Sequence, residues 1–423
     1  MEDVSNMLKR FEGSEEEAML KKCLHLLDPL NFLNFVIKSC NAFTPVSFSS
    51  ADIVLKPLYD EHLRGSIQNR TFCHQFEEVE LEELVPRYTK VTFHQLFNMD
   101  IVKELSTNGV RGLKEEYKPA LLTILTYLRN LEFHMEAMSC MGGLDETEVT
   151  AIMVVHFLSQ LIPGKDYVTD NRSSGVSQTQ KCPCQHKNCK ETVKSGCTAI
   201  GSSPVWHGYA DILLSQKIAV SVLPKPPTSD KEKTPSKEDT DNVEGPSASK
   251  RVCKPDQDSE EVKDTLVETA IMDCSVSKQM IAQAITNAFA RLNANPELSG
   301  WLIPTLACTR DDFLVFLYDP KNDVLLQCEI EIPIWVENTL SMNAVIQIWM
   351  LLNFTFFMNK NLADDYEIEK SNFHDLVDKM LPLYRSTSCH KFFTGDCSPI
   401  EETYKRMLRT CRLWAKEAPQ KKN

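Results

Sequence analysis

The residues best equipped for chemistry lie in one polar stretch, Cys182-x-Cys184-x-His186-x-x-Cys189, with Cys197 following after seven more residues. Four thiols and one imidazole so close together offer the sulfur and nitrogen donors that a tetrahedral Zn²⁺ takes. A loop without a core of its own gains most from such a staple, because metal binding then supplies folding energy. Cys-x-Cys is tighter than the usual ligand gap of about two to four residues. No His-x-Glu pattern adjoins to supply a base, so the chemistry implied is a structural zinc ion and not a catalytic one. The plainer alternative is a set of free thiols in an open loop. Lys181, Lys187, Lys190 and Lys194 make this the most basic part of the chain, which suits either contact with nucleic acid or simple solubility.

A second constellation is Trp206-His207-Gly208-Tyr209-Ala210-Asp211-Ile212-Leu213-Leu214, followed by the apolar run Ile218–Leu223. An acid entering an apolar strand is costly unless it is exposed, hydrogen-bonded or metal-bound. Gly208 lets a backbone or a ligand come close. The same residues would also serve to cap a strand and close a turn with no site at all. Walker-type glycine loops, dinucleotide fingerprints, HExxH, GxSxG and kinase signatures are absent, and 14 glycines in the whole chain leave little for phosphate-cradling loops.

On these residues the chain resembles the PD-(D/E)XK restriction-endonuclease-like superfamily, in its uncharacterised eukaryotic form, over roughly 145–332. There an Asp opens one strand of a hairpin, a Glu-x-Lys lies on the next, and a helix and further strands follow. The resemblance implies Asp211 as a Mg²⁺ ligand and Glu146 or Glu148 as a supporting acid. It also implies Gln279 and Gln283 as substrate contacts, and His207 before Asp211 is a further substrate-binding candidate. The Glu-x-Lys should fall within Ala219–Leu223, but Ser221 and Leu223 stand in its places and Lys225 lies two residues beyond. Two-metal hydrolysis needs carboxylates for Mg²⁺ and a lysine to polarise the attacking water. The expectation is therefore a non-catalytic binding or scaffolding protein on a degenerate nuclease-like fold, with a nucleic acid or a protein as partner. The alternative is a Mg²⁺-dependent nuclease with a migrated site built from Asp211, Glu148 and Lys225. A third reading is a structural interaction protein unrelated to nucleases.

Apolar periodicity predicts the helices and strands around these groups. Residues 1–143 read as mostly helical, with amphipathic stretches at Glu15–Leu27, Thr92–Leu105 and Glu115–Met138. Asp145–Leu161 begins with a capping-box pattern, Asp145 and Glu148, and would turn Val149, Ile152, Met153, His156, Phe157 and Leu161 to the core. Residues 163–204 show no periodicity and read as a long Cys-rich loop. Val205–Leu223 reads as a hairpin around Ser215-Gln216-Lys217. Residues 224–262 are Pro-, Ser- and charge-rich with almost no aliphatic residue, a disordered insert. Ser277–Leu292 is a helix with a polar stripe of Gln279, Gln283 and Asn287, expected to face solvent. Strands follow at Trp301–Cys308, Phe313–Tyr318 and Val324–Ile332, where Glu329 and Glu331 would form a wet face. The fold expected is α/β (α+β), a restriction-endonuclease-like mixed sheet flanked by helices: core 144–337, helical N-terminal region 1–143, helical C-terminal region 338–423.

The chain has 423 residues, 46 Lys plus Arg against 59 Asp plus Glu, and a formal net charge of −13, which disfavours coating nucleic acid by bulk charge. No apolar segment of signal-peptide type follows the acidic N-terminus, and the longest apolar stretch, Met342–Met358, carries Asn343, Gln347 and Asn353. An intracellular protein, cytoplasmic or nuclear, with reduced thiols and no membrane span is expected. Lys250-Arg251 with Lys254 is a weak nuclear-import pattern.

Overall fold

The computed structural model describes residues 3–25, 27, 35–37, 39–40, 48, 55–56, 90–111, 113–170, 180–214, 218–223, 274–366 and 368–390. The insert expected at 224–262, the basic group at 250–254 and Lys225 lie outside these residues.

At the centre is a mixed sheet of ten strands. In chain order they are β1 (Phe35–Ile37), β2 (Lys90–Val91), β3 (Tyr167–Asp170), β4 (Ser195–Gly196), β5 (Ile212–Leu214), β6 (Ala219–Val222), β7 (Ile303–Cys308), β8 (Asp312–Asp319), β9 (Val324–Cys328) and β10 (Ile332–Pro333). Nine of them lie in the order β2-β1-β9-β8-β7-β6-β5-β3-β4, and β10 pairs with β8. Pairing is antiparallel except between β6 and β7, where Ala219 lies beside Thr305, and between β3 and β4. A parallel neighbour needs a crossover, and helix Cys274–Ala294 stands between β6 and β7 in the chain. The expected hairpin is present, with Ile212 paired to Val220.

The sheet is covered on both faces, and the alternation of side chains shows how. Ser221, Thr305 and Tyr318 lie on one face and meet helix Cys274–Ala294: Ser221 donates to Gln283 at 2.9 Å, Asn287 to Thr305 at 3.3 Å, and the Phe289 and Tyr318 rings are 5.9 Å apart. Phe313, paired with Cys308, points the other way and stacks on Phe157 at 5.4 Å, just past helix Glu146–His156. Strands covered twice do not alternate buried with solvent-facing residues, as in the run Ile303–Cys308, all of it buried.

Several expectations change. Gln283 and Asn287 are fully buried against the sheet, so the polar stripe is an internal one that satisfies Ser221 and Thr305. Residues 163–204 hold β3, β4 and the short strands Gln180–Lys181, Thr192–Val193 and Ala199–Gly201; strands of two to four residues are too short for periodicity to register. His207–Tyr209 pairs with Ala199–Gly201 and not within the 205–223 hairpin. The close approach that Gly208 permits is made by the Phe48 ring, 2.5 Å from where a Cβ would stand. The stretch 92–105 breaks into Phe93–Leu96 and Met99–Asn108, because Phe97 bridges to Met358 and Asn98 caps the second helix. The stretch 115–138 breaks at Asn130 into Lys118–Arg129 and Leu131–Ser139. β9 stops at Cys328, so the wet face expected from Glu329 and Glu331 lies beyond it, with Ile330 66% exposed between them.

Helix Glu146–His156 starts as the sequence specifies. Glu148 N donates to Asp145 Oδ1 at 2.8 Å and Asp145 N to Glu148 Oε2 at 3.2 Å, closing the capping box. Asp145→Ala is expected to cost about 1 kcal/mol in urea unfolding; an unchanged midpoint would show the helix start to be held by packing alone.

The described residues fall in one compact unit. The apolar stretch at 342–358 is buried inside it as Met342–Leu352 and Phe354–Phe357. Asn353 breaks the run and is fully buried; its amide donates to the Leu161 and Trp349 carbonyls, both at 2.8 Å. No helix among the described residues is long and apolar enough to cross a membrane.

Candidate metal centre and the adjoining cleft

Helix Glu146–His156 delivers His156 fully buried at its last turn. His156 Nε2 lies 3.4 Å from Cys182 Sγ and 3.5 Å from Cys189 Sγ. With Cys184 included, one donor atom from each of these four residues lies within 4.8 Å of all the others, and the group can hold a metal ion. A tetrahedron with Zn–S near 2.3 Å and Zn–N near 2.0–2.1 Å has edges of about 3.5–3.8 Å. Both nitrogen–sulfur distances are therefore already close to those of a ligated ion.

Local hydrogen bonds shape the loop that brings in the sulfurs. Gln180–Lys181 pairs with Thr192–Val193, and Cys182 N donates to Glu191 O at 3.0 Å. Gln185 turns the chain with φ of 56°, and Cys189 N closes the turn on His186 O at 2.9 Å. The Cys140 thiol donates to Cys184 O at 3.2 Å, tying the loop to the end of helix Leu131–Ser139.

Burial sets the protonation states. It pushes the Cys182 and Cys189 thiols above the ordinary thiol range and lowers His156 to about 4. His134 is lowered to about 3, first by burial and then by His156 beside it. A divalent cation reverses this balance for the thiols, since its charge stabilises the thiolate, while a neutral imidazole is already in its ligand form. His134 Nδ1 is 3.3 Å from His156 Nδ1, and its ring stacks on Tyr127 with centroids 5.0 Å apart. A metal ion on His156 Nε2 would leave the proton on Nδ1, placed to donate to His134 Nδ1, the kind of outer partner metal-ligating histidines have.

Of the five residues whose spacing suggested a zinc site, Cys182, Cys184 and Cys189 converge. His186 does not join them. Its Nε2 is 2.9 Å from Glu136 Oε2 and its ring stands edge-on to Phe133 at 4.8 Å, so it docks the loop on the neighbouring helix. Cys197 is exposed and outside the group. His156 supplies the nitrogen instead. Helical periodicity places it on the core face and is silent about ligation; the available signal is a titratable side chain on an otherwise apolar face.

The same helix and loop also line a cleft of about 600 Å³, with Glu146, Glu148, Asp170, Lys181 and Asp211 among its lining residues. No family profile, curated protein or solved structure matches the chain. Half-buried Asp211 accepts the Val222 N–H on Oδ2 at 2.8 Å, and its carbonyl accepts Asp170 N–H at 2.9 Å. Glu148 is engaged in its capping box. Ser221 is buried, and Leu223 N donates to Cys308 O at 2.7 Å. The other substrate-contact candidates are elsewhere: His207 donates from Nδ1 to Val205 O at 2.9 Å, Gln283 is buried behind the sheet, and Gln279 is half-buried on the same helix.

Proposed function

We propose that the chain is a non-catalytic binding protein on a degenerate nuclease-like framework, its Cys-rich loop clipped by a structural zinc ion. The observation that carries the reading is the Ser221–Gln283 hydrogen bond. At the place where the related fold would carry its second carboxylate, a buried hydroxyl is committed to the core. Two positions on, Leu223 stands where a water-polarising lysine would be. The element order supports the framework: helix Glu146–His156, then β3, β5 and β6 side by side with short strands inserted between β3 and β5, helix Cys274–Ala294, then β7 parallel to β6. Asp211, just before β5, is the residue the resemblance would make a metal-binding aspartate, but its carboxylate accepts the backbone N–H of Val222.

A second reading has one observation in its favour. Lys181 and Asp170 face the same cleft as Asp211 and Glu146, so a lysine and several carboxylates are available for Mg²⁺-dependent phosphodiester hydrolysis from positions other than those of the family. Incubation of the purified protein with Mg²⁺ or Mn²⁺ and single- or double-stranded DNA or RNA separates the two. Binding without cleavage is expected, equal in wild type and Asp211→Ala. Cleavage abolished by Asp211→Ala would overturn the non-catalytic reading in favour of the second.

A further inference from the structure

The metal group and the cleft share their walls. Lys181 and Pro183 line the cleft, while the intervening Cys182 and the next residue, Cys184, belong to the metal group. Helix Glu146–His156 is shared in the same way: Glu146, Glu148 and Thr150 line the cleft, and His156 at the far end is a candidate ligand. We infer that His156, Cys182, Cys184 and Cys189 form one closed Cys₃His zinc centre and that this ion holds the Lys181 wall of the cleft against the helix. The inference rests on the zinc-clipped reading above and adds the identity of the nitrogen ligand and the consequence for the cleft.

Three observations support it. Four protein ligands complete a tetrahedron and leave no open position, which is the structural and not the catalytic form of zinc. The ligands join a helix to a loop whose own strands are two residues long, Gln180–Lys181 and Thr192–Val193. So short a pair is not stable by itself, and a metal bond to His156 is the strongest tie available to it. Finally, the orienting contact is in place, since His134 meets the His156 nitrogen that faces away from the sulfurs.

The experiment is zinc analysis of the full-length protein and its variants, with Co²⁺ substitution as a spectroscopic check and hydrogen exchange with and without a chelator. Wild type, His186→Asn and Cys197→Ser are expected to bind about one zinc ion per chain. His156→Asn and Cys189→Ser should weaken binding at least about tenfold. Because His156 is in the core and its substitution also disturbs packing, Cys189→Ser and the tetrahedral thiolate absorption of the Co²⁺ wild type carry the assignment independently. Chelation should speed amide exchange about tenfold or more in 180–193 and in the helix at 146–156.

Each failure has its own meaning. No zinc bound, even on titration with Zn²⁺, overturns the centre and the zinc clip together. Zinc retained by Cys189→Ser and lost from His186→Asn overturns the ligand set but leaves a clip. Zinc bound by the four residues, with exchange unchanged on chelation, overturns the coupling to the cleft.

Discussion

Acidification from about pH 7 to about pH 4 is expected to destabilise the metal-free protein by about 3 kcal/mol or more. In the fold, burial lowers His156 from the ordinary 6.5 to about 4. Between those values the unfolded chain binds a proton that the native state does not, so stability rises with pH through the window. It is lost as pH falls from 6.5 towards 4, and His134, lowered to about 3, extends the loss further. The two rings are 3.3 Å apart, so their contributions do not add as independent groups. Protons also compete with zinc for the thiolates and the imidazole, which acts in the same direction. Urea unfolding at a series of pH values checks this. Added Zn²⁺ should move the acid midpoint downward, whereas a stability flat between pH 7 and 4 would show that these histidines are not buried neutral.

Asp323→Ala is expected to cost on the order of 3–6 kcal/mol, for reasons unconnected with metal. Asp323 lies in the turn between β8 and β9, is 1% exposed, and has φ of 60°. Its carboxylate accepts Tyr318 Oη at 2.8 Å, Ser371 Oγ at 2.6 Å and His374 N at 3.1 Å, tying the turn to the C-terminal helices. Alanine would leave these donors in the interior, each costing about 1–3 kcal/mol, with incomplete additivity because they share one partner. The left-handed backbone adds about 1–2 kcal/mol for alanine but little for asparagine. Asp323→Asn keeps an acceptor oxygen and should lose less than half as much. Equal losses in the two variants would place the effect in charge and not in hydrogen bonding.

Much of the fold is legible because it is local. Asp145 and Glu148 announce a helix start, Ile212–Leu214 and Ala219–Val222 announce a hairpin, and the run at 342–358 announces a buried helix. What fails to read from sequence is set by distant partners. Asn98 breaks its helix while its N–H donates to Phe357 O, and Gln283 turns inward because Ser221 is there to meet it. Periodicity reports which face of a helix is apolar, and a helix covered all round has no such face: every residue from Met280 to Arg291 is buried.

The candidate site divides the same way. Cys182, Cys184 and Cys189 come from one short loop, so their spacing alone brings three sulfurs together. Spacing also points to His186, the nearest imidazole in the chain, and the fold sends that ring to Glu136 instead. The nitrogen comes from His156, which is 26 residues before Cys182 in sequence and 3.4 Å from it in space. Local spacing alone tells which donor types are present and that three cluster. The fourth comes from long-range packing, because a metal tetrahedron is closed by whichever buried side chain the docking of helix against loop brings within bonding distance, and sequence separation does not enter that distance.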